Sequence, residues 1–240
     1  MSGDAVDTVV FDWGGTLSIW AEVEMEDMWR LAADHVAEVT GASNGDVLAR
    51  LVEVEDRLWT ECAETAGGSR SFRLVDVLES ASDELGVDVA AAVLEEASLR
   101  HLDSWTPHVR HDPDAAATLT ALKERGLQVG LLSNTHWPAL FHERFLERDG
   151  LLDLIDLRVY SSDEAWMKPH PEIFRLTLDR LGADAARTVF VGDRMRDDVW
   201  GAQEAGMRGV WKRTPHAKAH DGVVPDAVID SLPQLLGLLD

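Results

Sequence analysis

Thr8-Val9-Val10-Phe11-Asp12-Trp13-Gly14-Gly15-Thr16 carries the first apolar run of the chain and closes it on a carboxylate. The run is short, continuous and β-branched. That suits a strand buried on both faces of a parallel sheet, because a solvated face would force alternation with polar residues. Asp12 then ends the strand, and two glycines let the chain turn sharply behind it.

Outward from this stretch, similar runs recur late in the chain: Leu127–Leu132, Leu157–Tyr160, Thr188–Val191 and the shorter Gly209–Trp211 and Ala227–Ile229. Between them the apolar period is helical. Pro113–Arg125 stops at Gly126, Pro171–Leu181 at Gly182 and Asp197–Ala205 at Gly206. Strands alternating with helices at this pitch predict an α/β fold with a doubly wound parallel sheet. Residues 19–104 break the pattern. They hold no convincing strand and read as three or four helices, Glu22–Val39, Asp46–Thr65, Phe72–Leu85 and Ala90–Leu102, punctuated by Gly41, Gly67-Gly68 and Gly86. The expected organisation is an α/β core, residues 1–18 and 105–240, interrupted by an all-helical insert, residues 19–104.

The charge balance limits the partners. Lys and Arg total 22 against 44 Asp and Glu, a net charge of -22. Such a body repels phosphate backbones and anionic bilayers, which argues against nucleic acid and membrane surfaces as partners. One cysteine, Cys62, excludes a disulfide scaffold and a Cys-rich zinc module. No apolar run is long enough to span a bilayer. Met1-Ser2-Gly3-Asp4 lacks the basic start of a signal peptide, so the expected location is cytoplasmic.

In parallel sheets ligands sit outside the carboxyl ends of the strands, so strand-end polar residues are the candidates for chemistry. Asp12 suits a nucleophile or metal ligand, or caps its turn. Ser133, in Leu132-Ser133-Asn134-Thr135, ends a strand and opens a helix, where it holds an anion or acts as an N-cap. Lys168 stands just before two closely spaced prolines in Met167-Lys168-Pro169-His170-Pro171 and is one of four lysines, either a fixed cation or a solvated one. Gly192-Asp193 ends a further strand, with Asp197 and Asp198 soon after. Clustered carboxylates suit Mg²⁺, and acidic capping of the next helix is the plainer alternative.

The order and type of these four motifs resemble the haloacid dehalogenase superfamily, over residues 7–18 and 108–235. The most specific piece is Val191-Gly192-Asp193 through Asp198-Val199-Trp200-Gly201-Ala202-Gln203-Glu204-Ala205-Gly206-Met207. The resemblance implies a Rossmann-like core, with the insert as a helical cap. It implies Asp12 as the nucleophile forming an aspartyl-phosphate. Ser133 and Lys168 would bind phosphoryl oxygens, and Gly14, Gly15, Thr16 and Asn134 would complete the substrate pocket. Asp193, Asp12, the Gly14 carbonyl and Asp198 would hold Mg²⁺, with Asp197 the alternative to Asp198. The implied activity is Mg²⁺-dependent hydrolysis of a small phosphorylated metabolite by a monomer or homodimer.

One position departs from the family pattern. Phosphatases of this type carry a second Asp two residues after the nucleophile, and here that residue is Gly14. General acid–base help is typically worth about 10²–10⁴-fold. Three readings follow. The leaving group needs no proton, as in an acyl phosphate; another group such as His136 or a cap residue substitutes; or the protein is not a phosphatase. A phosphate-binding or regulatory protein with little turnover belongs to the third reading. Phosphonoacetaldehyde hydrolases carry a small residue at this place but use a cap lysine, and residues 19–104 contain none. Dehalogenases of the family replace the acidic strand-end pair, which is intact here, so C–halogen cleavage ranks low.

The cap is expected to set substrate choice. Arg70 or Arg73, in the loop Gly67-Gly68-Ser69-Arg70-Ser71-Phe72-Arg73, are candidates for binding an anionic substrate tail. Trp13, Trp20, Trp137 and Trp166 either wall the pocket or pack the cap on the core. His108/His111 and His216/His220 have spacings a metal could use but no third ligand.

Overall fold

The computed structural model describes residues 5–64 and 70–239. Met1 to Asp4 and the predicted Gly67-Gly68-Ser69 turn lie outside the described residues, as does Thr65, the predicted end of the second insert helix. The strands are β1 (Thr8–Phe11), β2 (Gln128–Ser133), β3 (Leu157–Tyr160), β4 (Thr188–Gly192), β5 (Arg208–Lys212) and β6 (Ala227–Ile229). They form one sheet in the order β3-β2-β1-β4-β5-β6, every pair parallel. Each strand therefore matches the run predicted for it to within a residue or two.

β1 lies between β2 and β4, with Phe11 in register with both Leu131 and Val191. The chain first winds to one side of β1 and then to the other. The carboxyl end of β1 is thus the switch point of the sheet, where two connections part and leave a crevice. Both faces are covered, which explains the continuous apolar strands. Val9, Phe11, Leu131 and Val191 pack with Leu119 and Leu122 of α5 (Ala115–Glu124). Val10, Leu132 and Phe190 pack with Ile173, Phe174 and Leu178 of α7 (Pro171–Leu181). α7 starts where the sequence places it, with Pro171 as its first residue, where the missing N–H costs nothing.

Between β1 and α5 lie four helices: α1 (Met25–Thr40), α2 (Asn44–Glu64), α3 (Leu74–Leu85) and α4 (Ala91–Trp105). α1 packs on α2 and α4, and α3 on α2 and α4. The insert is tied to the core through the segment before α3. The Leu74 N–H donates to the His136 carbonyl at 2.7 Å, and Arg70 forms a β-bridge with Trp166.

Two local expectations are corrected. Ser133 does not open a helix. It is the last residue of β2, and five irregular residues precede α6 (Ala139–Arg148), whose start at Pro138 had no strong signal. The predicted helix at Asp197–Ala205 begins instead as a π-helical turn, Met195–Trp200, followed by the short α8 (Gly201–Glu204). The Val199 N–H reaches the Arg194 carbonyl five residues back, and hydrogen-bond registers of this kind are often found at functional sites. The C-terminal Leu232–Leu238 forms a 3₁₀ helix that packs on α5. No helix among the described residues is long and apolar enough to cross a membrane.

Candidate active site

Asp12 follows the last residue of β1, Ser133 ends β2 and Asp193 follows the last residue of β4. The sheet therefore aims all three into the crevice at its switch point. Lys168 reaches the same place from the loop before α7, and its peptide bond to Pro169 is cis. The Lys168 Nζ lies 2.7 Å from Asp12 Oδ1 and 2.7 Å from Asp198 Oδ1, with both partners buried. The π-helical turn makes this possible. It swings Asp198 inward, where the Arg194 backbone N–H donates to its Oδ2 at 2.8 Å. Asp197 also lines the cavity but lies 3.7 Å from the Arg194 guanidinium and makes no bond to Lys168. Of the two candidate acids, Asp198 is the one beside Lys168.

Asp12, Asp193 and Asp198 each offer a carboxylate oxygen within 4.8 Å of the others. Three buried acids share one buried ammonium group. The cost shows in their protonation. Burial pushes the Asp12 carboxyl up to about 7, and the neighbouring Asp198 and Asp193 add to this against the pull of Lys168. Burial and Asp198 raise Asp193 as well. For Lys168, burial alone would favour the neutral amine, but the flanking carboxylates outweigh it and hold the proton. Asp193 Oδ1 is buried and has no hydrogen-bond partner. An all-oxygen donor set with surplus negative charge and an unused carboxylate oxygen fits a hard divalent cation.

Gly15 carries the turn that lets Asp12 and Asp193 meet. Its φ is +75°, and a Cβ there would run into Asp193 and the Trp20 indole nitrogen. The buried Lys212 holds this turn from below, donating to the Gly15 carbonyl at 3.1 Å and pairing with Asp112 at 3.0 Å. Trp20 lies across the top. Its indole N–H donates to Asp193 Oδ2 at 2.8 Å, and its ring sits 3.1 Å from where a Gly14 side chain would begin. The space that an acidic residue at position 14 would use is therefore filled by an indole.

The remaining sequence candidates fall into three groups. Ser133 and Asn134 line the cavity above Asp12 with Gly14 and Lys168. The Asn134 side chain is spent on positioning, since it donates to the Lys168 carbonyl and accepts from the Lys168 N–H, both at 2.8 Å. Thr16 is fully buried and, like Gly15, does not line that cavity. Arg70 is also absent from the cavity wall. Its guanidinium stacks 4.3 Å from the Trp166 ring centroid, and Arg73 pairs with Asp76 at the surface. Neither loop arginine lines the cavity, and each meets a nearer partner.

The cavity, about 400 Å³, runs from Asp12 and Lys168 to the underside of the insert. Trp13, Trp20 and Trp137 wall it as the sequence suggested. Trp166 instead stacks on His170. Sequence reading missed Trp59 and Glu55 on α2 and Trp105 at the end of α4. Each falls on the apolar stripe of an amphipathic helix, and nothing in the sequence separates a pocket wall from ordinary core there. His136 is not at a helix start but deep in this cavity, and burial lowers its pKa to about 3. It stays neutral at physiological pH and makes a poor stand-in for a proton donor. His111 is fully engaged, accepting from the Trp13 indole at 3.1 Å and meeting Asp149 at 2.7 Å, so the His108/His111 spacing serves packing. The described residues give no metal cluster at His216 and His220.

Comparison with known proteins gives the same picture. A family model described as haloacid dehalogenase-like hydrolase matches residues 6–206. A glyceraldehyde 3-phosphate phosphatase of Pyrococcus furiosus is 32% identical over 136 residues, covering 55% of this chain and 56% of that protein. The chain thus spans little more than half the length of that relative. A glyceraldehyde 3-phosphate phosphatase of Methanopyrus kandleri is 30% identical over 191 residues, 77% of this chain and 80% of the other. Among solved structures, a 2-haloacid dehalogenase from Pseudomonas syringae superposes with a TM-score of 0.69 at 27% identity, covering 98% of both chains.

Proposed function

The chain belongs to the haloacid dehalogenase-like hydrolases, and we propose that within this family it is a Mg²⁺-dependent phosphatase acting through an aspartyl-phosphate at Asp12. The observation that carries this reading is the buried set of Asp12, Asp193 and Asp198 around Lys168. Phosphoryl transfer asks for a positioned nucleophile and for positive charge around the transferring oxygens. Bound Mg²⁺ would neutralise the carboxylates and polarise the phosphoryl group, with Asp12, Asp193, Asp198 and the Gly14 carbonyl as the residues to hold it. Lys168 would bind a phosphoryl oxygen while keeping Asp12 oriented, and Ser133 would take another.

In the first step an Asp12 oxygen bonds to phosphorus, and the bond from phosphorus to the leaving oxygen breaks with its electron pair going to that oxygen. In the second step water attacks the aspartyl-phosphate and releases inorganic phosphate and free Asp12. No side chain at position 14 protonates the leaving oxygen. The reading therefore favours substrates whose leaving group departs as an anion, such as acyl phosphates. The substrate is a small phosphorylated metabolite. The division into core (1–18 and 105–240) and cap (19–104), a cytoplasmic location and a monomeric or dimeric state belong to the same proposal.

The haloacid dehalogenase likeness supports a second reading, C–halogen cleavage at Asp12. The acidic cluster favours the phosphatase, because displacement at carbon needs no cation and would leave the Asp193 oxygen idle. The test is phosphate release from acetyl phosphate, and halide release from 2-chloropropionate, each with Mg²⁺ and with chelator. Mg²⁺-dependent phosphate release supports the proposal. Chelator-insensitive halide release without phosphatase activity would reverse the order, and neither activity with measurable phosphate binding would favour a binding protein.

A further inference from the structure

The cavity above Asp12 has one end, at Asp12 and Lys168, that the phosphatase reading uses, and an inner end, beneath the insert, that it does not. Five tryptophans, Trp13, Trp20, Trp59, Trp105 and Trp137, line it. Three of them are in ring contact: Trp105 and Trp137 are tilted at 58° with centroids 5.0 Å apart, and Trp13 and Trp137 meet edge to face at 6.2 Å. Such walls offer flat, rigid, largely apolar surface that favours another ring.

Three polar groups interrupt this surface. His136 Nε2 and Trp137 Nε1 are buried and have no hydrogen-bond partner, and the two residues are only 6% and 8% exposed. The Glu55 carboxyl, also buried, accepts from the Trp29 indole at 2.6 Å through Oε2, is also hydrogen-bonded by Trp59, and has Oε1 3.4 Å from His136 Nε2. Buried polar atoms are nearly always satisfied, so two orphaned groups in one wall point to a ligand that supplies the partners. Burial raises the Glu55 carboxyl above its usual range and keeps His136 uncharged, so these two groups bring no positive charge to the inner end. The arginines on the wall, Arg110 and Arg194, are exposed, and among the described residues lining the cavity the one buried lysine is Lys168, beside Asp12. Among the described residues no lysine or arginine pairs with Glu55 or His136 to compensate a second anionic group there.

We propose that this chamber receives the ring of the leaving group: the substrate class is a phosphate ester of an aromatic hydroxyl, with an uncharged hydrogen-bonding edge directed at His136, Trp137 and Glu55. This inference rests on the phosphatase reading and deepens it. It also accounts for Gly14. A phenolic hydroxyl ionises near pH 10, as in the tyrosine side chain, far below an aliphatic alcohol, so a phenoxide leaves with its electron pair and takes its proton later from water. The Trp20 indole covering Gly14 is then a pocket wall in the place where other chemistry would need an acid.

The experiment compares kcat/KM for four phosphates in Mg²⁺: 4-carbamoylphenyl phosphate, 4-carboxyphenyl phosphate, glycerol 1-phosphate and phosphocholine, with acetyl phosphate as a small reporter of the reaction centre. The two aryl esters have leaving groups of similar acidity, so their difference reads the chamber. The expected result is at least about a tenfold lower KM for the carbamoyl ester than for the carboxylate, the scale on which pockets discriminate, and still lower kcat/KM for the two alkyl esters. Trp59→Leu is expected to reduce the ratio of carbamoylphenyl to acetyl phosphate kcat/KM about tenfold. Glu55→Gln is expected to narrow the gap between the two aryl esters. Equal KM for the aryl pair in the unaltered protein, or a preference for glycerol 1-phosphate or phosphocholine, overturns the inference while acetyl phosphate turnover preserves the phosphatase reading. Absence of turnover on every phosphate overturns both.

Discussion

The acidic floor at the carboxyl edge of the sheet and the tryptophan chamber above it share one cavity, yet they are assembled differently. Each floor residue except Lys168 lies at or within a few residues of a strand end. A four-residue strand and a Gly-rich turn suffice to aim Asp12. The chamber is composed from the segment after β1, α2, the end of α4 and the loop after β2, most of them brought together by the packing of the insert on the core. The floor is charged and held by short, directed bonds at 2.7–2.8 Å, as between Lys168 and Asp12 and between Arg194 and Asp198. The chamber is held by ring contacts and leaves polar atoms unpaired. The contrast separates the reaction from its selection. Strand ends fix chemistry in a rigid sheet, and helices above them are free to vary what fits.

If that separation holds, changes to the floor cut turnover of every substrate alike, whereas changes to the chamber alter the ranking of substrates. The largest effect is expected for Asp12→Asn, a loss of about 10⁴-fold or more in kcat on acetyl and aryl phosphates equally, by the scale of nucleophile deletions. Steady-state phosphate release measures it. A loss confined to one substrate would break the comparison.

Next comes a gain at the boundary between the two regions. Gly14→Asp together with Trp20→Ala is expected to raise kcat/KM for an alkyl phosphate by about 10²-fold or more, within the usual worth of general acid–base catalysis. Gly14→Asp alone should give less, because the new Cβ would lie 3.1 Å from the Trp20 ring. No gain in either variant, with Mg²⁺ binding retained in calorimetry, would contradict the role assigned to the missing acid.

A stability measurement sharpens the same contrast. Lys168→Met leaves Asp12 and Asp198 buried without their shared cation and is expected to cost about 3–5 kcal/mol in chemical denaturation. Trp105→Phe in the chamber keeps a ring against Trp137 and should cost under about 2 kcal/mol. The smallest effect is expected for Asp197→Asn, within about threefold of the parent kcat/KM, since Asp197 faces Arg194 rather than Lys168. Asp198→Asn should lose far more. Similar losses for the two would mean that the π-helical turn does not decide which acid serves.

The same contrast explains what the sequence disclosed. Strands, winding and the acids of the floor were readable because a strand end is a local event: an apolar run, a carboxylate, a glycine. Choosing between Asp197 and Asp198 needed the π-helical turn, whose extra residue has no composition signal. Ser133 was placed at the right strand end but given a helix that starts later, at Ala139. Arg70 was read as facing the site because a loop arginine carries no mark of its partner, and Trp166 turned out to be nearer. Glu55 was silent because its neighbours in α2 are charged and only burial distinguishes it. Gly14 was legible as an absence, and the indole that fills the space was not, since Trp20 reaches it through a turn of the chain.

The most direct measurement is rapid acid quenching during turnover of acetyl phosphate in Mg²⁺, followed by peptide mass analysis. The account predicts one added phosphoryl group on the peptide carrying Asp12, lost in Asp12→Asn. Phosphate release at full rate with no label on that peptide, or label on another residue, would contradict it.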